Sequence, residues 1–448
     1  MSRPTPISGF PEWLPPQRMI EQHVLDHIRR TVELHGFAPV ETRAVEPLDQ
    51  LLLKGETSHE VYVLHRLQAD PGDAADPSAG PGLALHFDLT VPFARYVLEN
   101  AGRLQFPLRR YQIQKCWRGE RPQEGRYREF LQADIDVVDR DTLAPHYEVE
   151  LPLVIGDVLR GLPLPPIRMH VNNRKLCQGF YQGLGIPDPD ETLRIVDKLD
   201  KIGPAEVIEQ LMNGAGASEA QAKACLALAE IRAPDASFVD AVRALGVTHD
   251  LLDEGLAELT AVVEAAAEYA PGLLVADLKI ARGLDYYTGT VYETVLVGHE
   301  SLGSICSGGR YDNLASSGTD RFPGVGLSIG VTRLLGRLFN VGALTISRDV
   351  PTCVVVAVPT EEVRADCDRI AAALRGRGIP TEVAPSAAKY GKQIRFAERR
   401  GIPYVWFPGV DGGPDSVKDI RSGDQVAADP AGWRPPEDDL FPRVGGAS

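Results

Sequence analysis

The sequence lacks any arrangement of cysteines typical of a metal site or a disulfide framework. Its six cysteines are scattered through 448 residues, and none stands in a C-x-x-C pair or a Cys/His ligand spacing. No stretch approaches the ~18 uninterrupted apolar residues that a membrane span requires. The opening residues, MSRPTPISGF, hold neither an apolar core segment nor a basic run, so we expect no signal peptide. These absences favour reduced thiols in a cytoplasmic protein and argue against structural zinc.

Positive charge is also scarce, and the excess of acid is unevenly distributed. The net charge is −15, and residues 181–270 contain 17 acidic and 6 basic residues, which accounts for most of it. Residues 351–448 are nearly balanced, with 14 acidic and 13 basic residues. The acidic segment is most simply a solvated surface, and it leaves basic residues elsewhere free to act locally.

Residues 109–128 are the main basic exception, with seven Arg or Lys and only two Glu. Runs of alternating apolar and polar residues flank a polar loop there, which predicts two antiparallel strands joined by a long hairpin loop. Arginines on such a hairpin suit a bound polyanion, because the guanidinium matches phosphate bidentately and stays charged. A solvated basic hairpin is the structural alternative.

The order of residues in this hairpin resembles motif 2 of the class II aminoacyl-tRNA synthetases, and among them the histidyl-tRNA synthetases. The matching residues are Arg118-Gly-Glu120, Arg126-Tyr-Arg-Glu-Phe130, Gln132 and Asp134-Ile-Asp136. Three further segments resemble motifs of the same family: FDLTVPFARY from Phe87, RGLDYY from Arg282 with GGRYD through Tyr311, and the motif 3 segment Gly324–Arg333. RGLDYY is the most specific of these, since it looks like a string found in histidyl enzymes and not in other class II enzymes.

This resemblance implies an enzyme that activates L-histidine with ATP and transfers it to the 3′ end of tRNA(His). ATP would enter with Mg²⁺, with no tightly bound cofactor and no metal held by the protein. Because negative charge builds up on the α-phosphoryl group in the first step, Arg118 and Arg282 are the predicted catalytic cations. The predicted ATP-binding residues are Arg118, Glu120, Arg126, Arg282 and Arg333.

The resemblance also implies a histidine site. A carboxylate and a hydroxyl two apart on a strand share one face, so Asp88 and Thr90 suit an α-ammonium group. Gln132 is assigned to the amino and carboxylate end and Asp136 to the imidazole, whose pocket is closed by tyrosines. The full predicted set is Asp88, Leu89, Thr90, Gln132, Asp136, Tyr286, Tyr287 and Tyr311. A helix-capping Asp88 and a core aromatic pair are the structural alternatives.

Weaker predictions concern tRNA. In the hairpin loop they fall on Arg121, Gln123 and Arg128, and in the C-terminal region on Lys389, Lys392 and Arg395. A row of cations on a helix suits anticodon phosphates, although a solvated helix face is the alternative. Thr332 stands where the family has Glu, which leaves the surroundings of Arg333 undetermined.

Together these segments predict an α+β protein: a class II catalytic core with an antiparallel sheet, a helical insertion and a C-terminal α/β anticodon-binding domain. The first part of the core, with motifs 1 and 2, is predicted at 1–175, and an insertion of four or five short helices at 176–270. The second part of the core, with RGLDYY and motif 3, is predicted at 271–345, and the anticodon-binding domain at 351–448. Residues 66–82 predict a surface loop or disordered segment, and the tail after about 435 predicts a frayed end.

The N-terminal segment adds an expectation about assembly. A helical pattern begins near Pro16 and ends at Gly36, and a strand-like Phe37-Ala-Pro-Val follows it. This order resembles motif 1, the class II dimer interface, and implies a homodimer. Neither DNA nor a membrane is an expected partner.

Two other protein classes fit parts of the chain. The regulatory subunit of ATP phosphoribosyltransferase resembles the same core, but it typically lacks the anticodon-binding domain and the full arginine set that this chain has. A pseudo-synthetase that binds RNA or regulates a kinase would not need an intact ATP clamp. The catalytic interpretation accounts for more of the motifs.

Overall fold

The computed structural model describes residues 4–52, 60–66, 82–280, 286–409 and 413–446. Most of the loop predicted at 66–82, and Arg282 with the rest of 281–285, lie outside the described residues. The chain divides into two compact units, Met1–Pro11 with Leu25–Arg337, and Glu12–Val24 with Leu338–Ser448. Within the described part of the chain, no helix has the length and apolarity needed to cross a membrane.

The first unit is organised around a nine-stranded, mostly antiparallel sheet. Its strands, in spatial order, are Ala38–Pro39, Leu108–Trp117, Glu129–Val138, Gly324–Gly330, Cys306–Tyr311, Thr290–Leu296, Ile167–Asn173, Leu274–Asp277 and Arg232–Ala233. The predicted hairpin is confirmed, because Leu108–Trp117 and Glu129–Val138 pair antiparallel along all ten positions. Gly324–Gly330 pairs with the second of these strands and sets Gly326 opposite Asp136. The sheet therefore brings motif 2 and motif 3 side by side.

The predicted N-terminal helix is confirmed as Pro15–Leu34. Its apolar positions at four-residue spacing are buried, and Gly36 follows it with a φ of 79°, a conformation that glycine adopts without strain. The strand after it is shorter than the pattern predicted. Only Ala38–Pro39 pairs, in parallel, with Arg110 and Tyr111.

The helical insertion, predicted as four or five short helices in an all-α region, differs in three ways, the first being that the described residues form six helices. Its helices are Arg174–Gly183, Pro189–Val196, Leu199–Gly214, Glu219–Ala229, Phe238–Ala244 and Asp250–Tyr269. The last spans 20 residues, so the helices are not all short. The region is not all-α either, because Arg232–Ala233 forms a strand on Leu274–Asp277 and extends the central sheet. Two residues carry too little alternation to mark a strand in the sequence.

The remaining elements of the first unit surround this sheet. The helices are Leu48–Leu52, Thr90–Asn100 and His146–Arg160, and the helix Val331–Asn340 continues into the second unit. Two small sheets consist of Val45–Pro47 with Leu83–Leu85 and Val63–Leu64, and of Ser316–Ser317 with Asp320–Arg321. Thr90–Asn100 buries Phe93 against Tyr311, which places this helix over the motif 2 side of the sheet.

The second unit contains the predicted α/β domain. Its five strands, in spatial order, are Thr381–Val383, Val354–Val356, Tyr404–Phe407, Ser416–Asp419 and Gln425–Ala427. The first three are parallel, as an alternation of strands and helices requires. The helices Arg364–Gly376 and Tyr390–Glu398 connect them, and the apolar run Cys353–Val358 is fully buried.

The prediction of a frayed tail is wrong. The helix Glu437–Leu440 and the strand Val444–Gly446 are ordered, and the strand pairs with Leu344–Ile346. The buried Arg348 donates hydrogen bonds to the backbone carbonyls of Asp439 and Leu440, each at 2.8 Å. Composition predicted fraying because a partner 91 residues away along the chain leaves no local sequence signal.

Candidate active site

A row of polar side chains follows one face of the hairpin. Gln132, Asp134 and Asp136 alternate along Glu129–Val138 and so share a face. Across the ladder they stand opposite a second polar row, Gln114, Gln112 and Arg110. Both aspartates of the first row are buried. Burying several polar side chains side by side costs free energy unless they are hydrogen-bonded or paired. Such a cluster is typical of a functional site.

Asp136 is held on both carboxylate oxygens. The Tyr311 hydroxyl donates to Oδ1 at 2.7 Å, and Nη2 of Arg110 lies 2.7 Å from Oδ2. Gly326 stands opposite, and a Cβ there would lie 2.0 Å from Oδ1 of Asp136. A Cβ at Gly324 would lie 2.5 Å from the Tyr311 ring. The two motif 3 glycines therefore make room for the side chains of this pair.

Three tyrosines gather beside Asp136. The ring centroids of Tyr286 and Tyr287 are 4.4 Å apart and their hydroxyls 3.2 Å, and Tyr286 lies 6.2 Å from Tyr311. Burial raises the pKa of both Tyr286 and Tyr311, and the nearby carboxylates of Asp88 and Asp136 raise it further at Tyr286. These phenols are therefore neutral and keep their protons for hydrogen bonding.

The prediction that Asp88 and Thr90 share a strand face is wrong, because the helix Thr90–Asn100 begins here. Oδ1 of Asp88 accepts the backbone N–H of Val91 at 3.2 Å, as the helix-capping alternative predicted. The Leu89 side chain is fully buried. Asp88 nevertheless lies at the tyrosine cluster, where its carboxylate and the Thr90 hydroxyl both interact with Tyr286.

The middle of the row is a protonatable carboxyl. Burial raises the pKa of Asp134 to about 7, with repulsion from Asp136 and Asp88 adding to the effect and Arg110 opposing it. Next to it, Nε2 of Gln132 donates to the Ser328 hydroxyl at 2.8 Å. The Oε1 atom of Gln132 is buried and has no hydrogen-bond partner among the described residues. That oxygen is an acceptor suited to a ligand ammonium.

The predicted ATP-binding residues that the structure describes meet in one cleft, with a volume of about 320 Å³. Arg118, Glu120, Arg126 and Arg333 line it, and Gln132 connects it to the polar row. Nε of Arg118 donates to the Phe87 carbonyl at 3.1 Å, which fixes its direction. Arg126 and Glu120 form an ion pair at 3.0 Å. Three guanidiniums around one cleft suit a triphosphate, whereas Arg282 lies outside the described residues.

Sequence reasoning missed several residues of this region. The cleft is also lined by Glu60, Ser304, Ile305, Cys306 and Ser328. Arg110 was not singled out, although hairpin register alone would have set it opposite Asp136. The surroundings of Arg333 were left open by the sequence, and its Nη2 donates to the Leu302 carbonyl. Thr332 has a separate role, because its hydroxyl accepts the Leu131 N–H at 2.8 Å and ties the motif 3 helix to the hairpin.

The predicted tRNA-binding residues are more open to solvent. Arg121 and Gln123 are exposed in the hairpin loop, whereas Nε of Arg128 donates to the Glu120 carbonyl at 3.1 Å. In the second unit Lys389, Lys392 and Arg395 are exposed on or beside the helix Tyr390–Glu398. Their three-residue spacing puts them on one helix face.

Comparison with known proteins identifies this arrangement. A family model described as histidyl-tRNA synthetase matches residues 9–334, and one described as anticodon binding domain matches residues 352–422. A histidine–tRNA ligase from Micrococcus luteus is 60% identical, with 99% of each chain covered. The chain belongs to the histidyl-tRNA synthetase family. The predicted family and fold class are thereby confirmed.

Two solved structures resemble this chain, at different levels of sequence identity. The histidyl-tRNA synthetase from Nostoc sp. PCC 7120 superposes with a TM-score of 0.82 at 34% identity, covering 96% of this chain and 97% of that one. A Bacillus halodurans protein described as an ATP phosphoribosyltransferase regulatory subunit/histidyl-tRNA synthetase superposes with a TM-score of 0.71 at 19% identity. The match covers 90% of this chain and 97% of that one. The second likeness shows the fold alone. Synthetases of this family use ATP, which agrees with the arginine-lined cleft.

Proposed function

We propose that the cleft and the polar row beside it perform both steps of histidine–tRNA ligation. The carboxylate of histidine attacks the α-phosphorus of ATP, the bond to the bridging oxygen breaks, and pyrophosphate leaves. A hydroxyl of the terminal tRNA ribose then attacks the acyl carbon and releases AMP. The observation that carries this proposal is the continuity of an arginine-lined cleft with a row of amino-acid-sized polar groups at Gln132.

The row orients histidine. Oε1 of Gln132 and the carboxylate of Asp88 accept hydrogen bonds from the α-ammonium group, since both are buried acceptors near the cleft. Asp136 accepts the imidazole N–H, and the neutral tyrosine hydroxyls and rings surround the rest of the imidazole. A buried pocket that loses such a hydrogen bond discriminates strongly against side chains without it.

The cleft activates the phosphate. Arg118 lies against the Phe130 ring and the Phe87 carbonyl, so its guanidinium is preorganised where charge builds up on the α-phosphoryl group. Arg282 is assigned to the same charge, and Arg126, Glu120 and Arg333 to the remainder of ATP. ATP enters as its Mg²⁺ complex, and the metal neutralises the leaving pyrophosphate.

Assembly and tRNA contacts complete the proposal. Residues 1–175 and 271–345 form the catalytic core, 176–270 the insertion, and 351–448 the anticodon-binding domain, in a cytoplasmic homodimer. Val63, Leu64 and Leu83 are 40–50% exposed on one small sheet, and such apolar surface supports burial against a second copy. The tRNA(His) acceptor end meets Arg121, Gln123 and Arg128, and its anticodon meets Lys389, Lys392 and Arg395.

The test is charging of tRNA with labelled histidine by the purified full chain. We expect acid-precipitable histidine that depends on ATP, Mg²⁺ and tRNA(His). A protein that binds histidine but neither charges tRNA nor exchanges pyrophosphate would contradict the proposal and favour a regulatory role. A matched control is tRNA lacking its terminal adenosine, which should support pyrophosphate exchange but no charging.

A further inference from the structure

Arg110 is a fully buried cation that the two reaction steps leave without a role. Its relative exposure is 0%, and it lies on the hairpin strand next to the one that carries Asp136. Removing a guanidinium from water costs free energy that the fold must offset. A specific partner must offset this cost.

That partner is the Asp136 carboxylate. Nη2 of Arg110 lies 2.7 Å from Oδ2, and the two residues are directly opposite in the antiparallel ladder. Oδ1 is meanwhile occupied by the Tyr311 hydroxyl at 2.7 Å. The contact with Oδ2 is an ion pair and not an aligned hydrogen bond. Together with the Tyr311 hydroxyl on the other oxygen, this cation restricts rotation of the carboxylate.

Arg110 is itself held in place from two further sides. Its guanidinium carbon lies 4.1 Å from the centroid of the Phe93 ring, on the helix Thr90–Asn100. Its Nη1 donates to Oε1 of Gln112 at 3.1 Å, and Nε2 of Gln112 donates to the Thr42 hydroxyl at 2.9 Å. Arg110 is therefore the middle of a fixed polar chain that ends at Asp136.

We infer that Arg110 is a positioning residue for histidine selection, which acts on the ligand through Asp136 and does not touch it. It does not face the arginine-lined cleft, and it keeps a buried carboxylate charged and directed as the acceptor for the imidazole N–H. Without Arg110 that carboxyl would be an uncompensated buried charge, which takes up a proton or turns toward another donor. This inference rests on the proposed role of Asp136 in binding the imidazole.

Pyrophosphate exchange by the full chain separates this role from a structural one. Arg110→Met should raise the KM for histidine by at least about tenfold, while the KM for ATP changes by less than about twofold. Arg110→Lys restores a charge of shorter reach and should recover part of the loss. Arg109→Met is the matched control, since the neighbouring Arg109 pairs with Glu150 and should leave both KM values unchanged.

A double-mutant cycle with Asp136→Asn gives the decisive comparison. If Arg110 acts through Asp136, adding Arg110→Met to Asp136→Asn should change the histidine KM by less than about twofold. Equal effects in both backgrounds would overturn the inference, as would a parallel rise in the KM for ATP. If Asp136→Asn alone leaves the histidine KM unaltered, the proposed imidazole site is wrong, and that failure is distinguishable from failure at Arg110. Thermal melts verify that each variant is folded.

Discussion

The catalytic sheet of the first unit and the helix Tyr390–Glu398 of the second hold basic side chains in opposite ways. In the catalytic sheet Arg110 is buried on Asp136 and Arg310 is mostly buried on Glu148, at 2.7 and 2.9 Å. At the helix Tyr390–Glu398, Lys392 on the helix and Lys389 just before it are exposed. A buried, paired guanidinium acts at short range through fixed geometry, whereas an exposed cation acts through charge that salt screens. Mutations of the buried arginines in the sheet should therefore alter histidine binding or activation, whereas mutations on the exposed helix should alter tRNA affinity.

The largest expected effect of a substitution is on the rate of adenylate formation in the cleft. Arg118→Ala should slow adenylate formation by roughly 10²–10³ and change histidine affinity far less, because Arg118 acts on charge present only in the transition state. Arg282→Ala should behave alike. Single-turnover pyrophosphate release measures the rate, with the exposed Arg103→Ala as control. Near-normal rates would place the phosphate elsewhere.

The exposed helix should respond to salt instead. Replacing Lys389, Lys392 and Arg395 by Ala should weaken tRNA binding. It should also reduce the slope of log affinity against log salt concentration by about 0.7–0.9 for each phosphate contact removed. Pyrophosphate exchange without tRNA should stay unchanged. Arg369→Ala, which replaces an exposed arginine on the helix Arg364–Gly376, is the control. A salt slope equal to that of the unmodified chain would mean that this face is merely solvated.

Asp134 should affect stability and its dependence on pH. Its pKa is raised by burial from 3.8 to about 7, so the folded chain binds a proton more tightly than the unfolded chain does. Stability contributed at this site should fall as pH rises between those values, by at most about 1.4 kcal/mol per pH unit, and then level off.

Urea titrations of the unmodified chain and of Asp134→Asn, from pH 4 to 8, isolate this contribution. Carboxyls distant from this site affect both curves alike, so the difference between the two free energies of unfolding reports on Asp134 together with its repulsion of Asp136 and Asp88. The Asn variant should gain relative stability with rising pH. Parallel curves would show that Asp134 titrates normally.

Prediction from sequence succeeded where the signal was periodic. The hairpin followed from alternation over ten-residue strands, and the N-terminal helix from four-residue spacing of Ile20, Val24, Ile28 and Val32. Motif order brought Arg118, Glu120, Arg126 and Arg333 correctly into one cleft. Patterns of this kind are local, because the spacing of apolar residues within one segment is enough to indicate a strand or a helix.

Prediction failed where a distant partner decides the structure. Asp88 and Thr90 were expected on a strand, but alternation over four residues cannot be told from a helix start. Arg348 holds in place a tail whose composition predicts fraying. The pairing of Arg110 with Asp136 depends on the strand register that sets the two residues opposite each other. Composition and spacing do not contain these long-range pairings.

The most direct test of the account is ATP–pyrophosphate exchange by the full chain with each of the twenty amino acids in turn. We expect that histidine alone supports exchange, because the proposed acceptor of the imidazole N–H, Asp136, is buried and held by Arg110 and Tyr311. Exchange supported equally well by another amino acid, or none with histidine, would contradict it.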